Sequence, residues 1–298
     1  MKKRRIAVVG LGKLGRTCAE ALLADQTLTL AGVVRRSAAS VDWLGDVPVV
    51  GHLSELQEVD AALLCVPPDS VLGTAQEIMQ KRTPVVECAR LHGEAFVAHH
   101  AEMQRMAHLY KARAVVGAGW DPGILSLLRG QFALLIPHGH TQSSLHTATS
   151  LHHTLAAEGI GGVRKALATE LITRDGTAQR YVYVELEPGA DAAAVEQAIS
   201  RDPLYLDEQT LVFPVDSVAA LEESNRGLLL ERHAAAGDPS HASLLLEARF
   251  NETQLAARMM LAAARALPFL HAGAHSLFDL PPGVLWGDQG TASAREWM

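Results

Sequence analysis

Gly10-Leu11-Gly12-Lys13-Leu14-Gly15 stands between a short β-branched run, Ile6–Val9, and a segment of helical periodicity, Lys13–Leu23. No other part of the chain constrains the fold as tightly. Glycine spacing of this kind is common, but a strand before it and a helix after it make it a good signal. Gly10 permits the tight turn, Gly12 lets a backbone approach a pyrophosphate, and Gly15 lets the helix lie close on the strand. The helix N-terminus then turns unsatisfied N–H groups toward the phosphates. A dinucleotide-binding Rossmann unit is the expectation; a glycine-rich turn without ligand is the alternative.

The end of the second strand selects the cofactor. An acid about 20 residues on would bind a ribose 2′-hydroxyl. Arg35 stands there instead, followed by Arg36 and Ser37. Two guanidinium groups and a hydroxyl suit a 2′-phosphate, so the pattern favours NADP over NAD. The strand Ala61–Val66 ends at Pro67-Pro68, on the edge where open α/β sheets bind ligands. Backbone of Cys65, Val66 and Pro67 is expected beside the cofactor.

Further strands alternate with helices over the first half: Leu28–Val34, Val47–Val50, Pro84–Cys88 and Ala114–Val116, with helices over 69–80, capped by Asp69, and over 94–111. Strands that are apolar on both faces predict a doubly wound parallel sheet. From Ser143 the pattern changes to longer strands separated by turns: Ser143–Ser150, Gln179–Leu186, Thr210–Val215, Gly227–Ala234 and Ala242–Arg249, interrupted by a helix over 191–200. A second α+β domain on a mostly antiparallel open sheet is expected over 121–248. Residues 1–120 and 249–298, the latter with an Ala-rich helix over 253–266, are expected to form the dinucleotide-binding domain.

The net charge of −7, with no long basic run, argues against nucleic acid as a partner. No apolar stretch approaches the roughly 20 residues of a membrane span, and the N-terminal run is too short for a signal peptide. Cys18, Cys65 and Cys88 form no CxxC pair, as in a reduced cytoplasmic protein. The 14 histidines include His138, His140, His146, His152 and His153, without HExxH or cysteine partners, so no metal site is expected. The turn Gly159–Gly162 lacks the Lys-Ser/Thr of a phosphate loop and reads as feeding a helix over 163–168.

Gly119-Trp120-Asp121-Pro122-Gly123 follows the sixth strand, ahead of a helix over 123–132. Asp121 either caps that helix or serves a site at the sheet edge. With Val9–Gly15 and Val34-Arg35-Arg36-Ser37, this run resembles the meso-diaminopimelate dehydrogenase family. Sparser matches follow at His153, Gly162–Ala166, Arg180, Gly237-Asp238, Phe250-Asn251 and Gly273–Leu277.

The resemblance implies an NADP-dependent homodimer of lysine biosynthesis that reversibly deaminates a D-amino acid centre to a keto acid and ammonia. Trp120 and Asp121 would flank the amino group, and His153 would lie in a loop beside the nicotinamide. Arg180 would bind a carboxylate, with Arg90 a second candidate for that clamp in a new geometry, and Asn251 and Ser150 would line the substrate. Asp121, His92 or His153 would serve as base. The family's Tyr-Asp-Asn-His run is here Ala89-Arg90-Leu91-His92, so Arg90 replaces a carboxylate, and Glu87 matches an earlier acid. Leu151, Leu155, Glu170 and Leu229 replace a Gln, an Asp, a Thr and a His. A D-amino acid or keto acid is therefore a firmer expectation than diaminopimelate. An NADP-dependent reductase of another imine or keto substrate, and a silent NADP-binding sensor, stand as rivals.

Overall fold

The computed structural model describes residues 3–37, 41–146, 150–172, 178–206, 209–219, 226–238 and 241–285. Its strands are β1 (Arg4–Val9), β2 (Leu28–Val34), β3 (Val49–Val50), β4 (Ala61–Leu64), β5 (Val85–Glu87), β6 (Arg113–Val115), β7 (Gly139–His146), β8 (Val163–Ile172), β9 (Ala178–Leu186), β10 (Gln209–Pro214), β11 (Arg226–Ala234), β12 (Ser243–Phe250) and β13 (Gly273–His275). The helices used below are α1 (Lys13–Ala24), α2 (Pro68–Met79), α3 (Gly93–Tyr110), α4 (Ile124–Leu135), α5 (Leu151–Glu158), α6 (Ala192–Arg201) and α7 (Glu252–Ala266). Two compact units result: Met1–Gly130 with Thr253–Met298, and Gln131–Glu252.

The first unit is a Rossmann fold. Its sheet runs β13-β6-β5-β4-β1-β2-β3, and each pair is parallel. Successive side chains of a strand point to opposite faces, and both faces here are apolar. Ile6 and Val8 join a cluster with Cys18, Leu22, Met260 and Leu261, which packs α1 and α7 on one face. Ala7 and Val9 join Val71, Ile78, Met103 and Met106, which packs α2 and α3 on the other. Leu22 is only 1% exposed, so truncating it to alanine would cost about 2–5 kcal/mol.

Three local expectations change. Helix α2 begins one residue early, with Pro67 at the N-cap and Pro68 inside, so Asp69 lies in the first turn and is not the cap. Proline suits that position because its φ is preset and it has no N–H to satisfy. The Gly273–His275 segment, read only as tail, adds a seventh strand beside β6. The run 163–168, read as helix, is the start of β8, paired antiparallel with β9. Ala, Leu, Arg and Lys favour a helix there, but pairing overrides so weak a preference.

Among its described residues, the second unit is the mostly antiparallel α+β unit expected, its strands falling in two three-stranded ladders, β10-β9-β8 and β12-β11-β7. The pairs are antiparallel except β9 with β10, which is parallel. Helices α5 and α6 cover the first sheet through Ala157, Val182, Val184, Val195, Ile199 and Tyr205. The strand expected over 143–150 ends at His146, and 147–149 lie outside the described residues.

Candidate active site

The sheet order reverses between β1 and β4, and the Gly10–Gly15 turn sits at that switch point. A Cβ on Gly10 would lie 2.4 Å from Cys65 O, and one on Gly15 would lie 1.9 Å from Gly10 O. A Cβ on Gly12 would meet nothing within 4 Å. Two glycines thus serve the chain's own packing, whereas the third faces open space. Helix α1 starts at Gly12 without a side-chain cap and without an acid in its first turn. Its leading N–H groups are therefore suited to an anion.

Lys13 is exposed beside the turn, and Leu14 is half-buried on α1. Arg35 is half-buried, and Arg36 and Ser37 are exposed past the end of β2; Arg35 N donates to Val50 O. Cys65 N donates to Val9 O, which draws the ends of β1 and β4 together, and Val66 and Pro67 continue from there. The Cys65 thiol lies 3.9 Å from that of Cys18. That contact and burial hold the Cys65 pKa well above the usual thiol range. Burial, with Glu87 nearby, pushes Cys88 up to about 12. Neutral thiols of this kind are poor nucleophiles.

The Gly119–Gly123 run closes on itself. Ile124 N donates to Gly119 O and Leu125 N to Trp120 O, and these bonds start α4. Gly123 has φ +142°, and a Cβ there would lie 2.1 Å from Gly119 O. The Asp121–Pro122 peptide is cis. Trp120 is buried, and Asp121 faces a cavity of about 440 Å³ lined also by His92, Phe96, Gly117, Arg129 and Phe278. That volume lies within the range of small-molecule sites. Asp121 Oδ1 accepts from Arg129 Nη1 at 3.2 Å and lies 3.9 Å from His92 Nδ1. Two of the expected residues, His92 and Asp121, are thus brought together.

Glu87, the acid matched to the family's run, does not face this cavity. It is wholly buried, and its two oxygens accept from Ala89 N at 2.5 Å and Gly117 N at 2.8 Å, with His99 Nε2 3.4 Å away. Glu87 therefore ties the turn carrying His92 to the one leading to Asp121. Arg90 is exposed on the first of these turns. Arg129 escaped the sequence reading; its only signal is an arginine eight residues beyond Asp121, about two helical turns away.

The other expected residues lie in the second unit. His153 is in α5 and not in a loop, where Nδ1 lies 2.8 Å from Ser150 Oγ and the ring meets Tyr205 edge-on at 5.1 Å. Arg180 is buried on β9 and donates to Glu170 Oε2 at 3.0 Å. Asn251, half-buried, precedes α7.

Against known proteins, the chain is 34% identical over 301 residues to a meso-diaminopimelate D-dehydrogenase of Bacteroides fragilis, covering 100% of this chain and 99% of that protein. The chain belongs to the meso-diaminopimelate D-dehydrogenase family. A relative of the same name from Ureibacillus thermosphaericus is 28% identical, covering 96% of each chain. The CoA binding domain family matches residues 1–89, the span from β1 through β5. Among solved structures, diaminopimelate dehydrogenase of C. glutamicum, in complex with diaminopimelate, shares the fold. Its TM-score is 0.64 at 22% identity, covering 99% of this chain and 100% of that one. An engineered D-amino acid dehydrogenase bound to NADP⁺ shares it at a TM-score of 0.63, with the same identity and coverage.

Proposed function

We propose that the chain is an NADP-dependent amino acid dehydrogenase, which deaminates the D-centre of an amino acid to a 2-keto acid and ammonia and runs the reverse. Membership of a dehydrogenase family supports this reading. The observation that carries it is one sheet edge holding both an acid-free, uncapped helix N-terminus and a cavity with an aspartate in it.

Bound NADP supplies the nicotinamide that accepts the hydride from the substrate's α-carbon. Gly10, Gly12, Lys13, Leu14 and Gly15 would cradle the pyrophosphate, with the backbone of Cys65, Val66 and Pro67 along the dinucleotide. Arg35, Arg36 and Ser37 would take the 2′-phosphate. Asp121 would hold the ammonium, accept its proton as the imine forms, and then orient the water that displaces ammonia. His92, 3.9 Å away, is placed to pass that proton on. Trp120 would wall the amino group, and Arg90 would face the site's entrance. His153 with Ser150, Arg180 and Asn251 would contribute from the second unit, which would also carry the interface of a cytoplasmic homodimer.

Diaminopimelate itself is less favoured than a simpler D-amino acid. Arg180 already holds the chain's own Glu170 carboxylate, and Arg90 stands where the family has an acid. The same facts favour, as a second reading, reduction of another imine or keto substrate. Absorbance of reduced cofactor decides, with NADP⁺, NAD⁺, meso-diaminopimelate and a panel of D- and L-amino acids. NADPH formation with D-amino acids is expected. No formation with any of them refutes the reading.

A further inference from the structure

We infer that Arg129 binds the substrate's α-carboxylate, and that Asp121 and Arg129 form a charge pair that admits an α-amino acid only as a zwitterion. The inference rests on the dehydrogenase reading and names a residue that the reading does not use. Arg129 Nη1 donates to Asp121 Oδ1 at 3.2 Å, and both side chains line one cavity. The Asp121 side chain is 20% exposed and that of Arg129 36%, so each keeps a face toward the cavity. The remaining walls are largely apolar, with Leu91, Phe96, Val116, Pro122, Leu277 and Phe278 among them. Arg180, the obvious carboxylate ligand, is 3% exposed at its side chain and bonded to Glu170.

An α-amino acid carries its ammonium and carboxylate on one carbon, so the two charges fall on adjacent partners. Entering between Asp121 and Arg129, it exchanges one ion pair for two and leaves every charge opposed. A compound with the ammonium alone meets the like charge of Arg129. One with the carboxylate alone meets that of Asp121. Uncompensated charge in an apolar cavity is costly, so the pair rejects both. In the reverse direction the 2-keto acid brings the carboxylate and free ammonium brings the cation. A guanidinium can grip a carboxylate through two N–H groups, so lysine replaces it only in part.

The test compares D-alanine with D-alaninamide on wild type, R129M and R129K, with bound NADP⁺. Turnover and the thermal shift caused by each compound are both read, and NADP⁺ affinity checks that each variant folds. In R129M the KM for D-alanine should rise about 10- to 100-fold, with kcat less affected. The preference for acid over amide should collapse, and R129K should recover part of it. Turnover with an unchanged KM and preference in R129M overturns the inference and leaves the dehydrogenase reading standing. Without turnover, stabilisation of wild type but not R129M by D-alanine keeps the carboxylate role of Arg129 and leaves the dehydrogenase reading to the amino acid panel. No stabilisation of wild type by either compound, with no turnover, overturns the inference; the reading itself falls only if the whole amino acid panel is silent.

Discussion

Among the described residues, the first unit buries Glu87, His99 and His275 around the sheet edge that carries the cavity, whereas the second buries Arg180, Glu185 and Arg232 inside its strands. The partners differ as well. Glu87 accepts backbone N–H groups from two turns, while Arg180 and Glu185 pair with the side chains of Glu170 and Arg164. Arg232 donates to Ile136 O and Thr141 Oγ1. In the first unit a buried charge shapes backbone for a site. In the second, Arg180 and Glu185 are matched to side chains of the neighbouring strand, and side chains matched to each other are less able to grip a ligand. The chemistry is therefore assigned mainly to the first unit.

The sharpest way to break that contrast is Asp121→Asn. Loss of the proposed base should lower kcat about 10²- to 10⁴-fold with NADP⁺ affinity kept, as steady-state kinetics and cofactor titration would read. Arg180→Met in the second unit should lower kcat far less; an equal fall would shift the chemistry across. Replacing Arg35 and Arg36 together by alanine should weaken NADP⁺ about 10- to 100-fold and leave NAD⁺ almost unchanged, measured as the ratio of the two dissociation constants.

The glycines sharpen the contrast within the turn itself. Gly15→Ala forces a carbon against Gly10 O and should cost about 1–3 kcal/mol in a denaturant melt. Gly12→Ala meets no protein atom, so it should melt like the parent yet bind NADP⁺ at least about tenfold more weakly. Glu87→Gln leaves an amide N–H₂ facing a backbone N–H, because both oxygens accept in the parent. It should cost about 1–3 kcal/mol.

The smallest effect is one of pH. Burial pushes the native Cys88 thiol up to about 12 from an ordinary value of 9.0. The native state therefore holds its proton longer than the unfolded chain, so this contribution is intact below pH 9 and is lost as pH rises toward 12. Thermal melts should weaken over that window, and less so in Cys88→Ala.

The Rossmann unit was legible because its signals are local. Gly10 and Gly15 are fixed by steric contacts that leave no alternative residue, and β1, β2 and β4 are apolar on both faces. Strand β13, with only three residues, offers no periodicity to read. β8 hides behind helix-favouring residues, and its identity comes from pairing with a strand distant in sequence. In the site, Asp121 announces itself through its neighbours Gly119, Pro122 and Gly123. Arg129 joins it only because the turn and the following helix bring the two side chains together, and nothing local marks that contact. His153 lies in α5 between Ser150, three residues before it, and Tyr205, which is distant in sequence and so could not be read beside it.

The most direct test of amino acid dehydrogenase activity is NADPH oxidation by the purified chain with a 2-keto acid, with and without ammonium. Oxidation that requires both would establish reductive amination and, with it, the deamination proposed for this chain. Oxidation by the keto acid alone, at the same rate without ammonium, would make the chain a carbonyl reductase and contradict it.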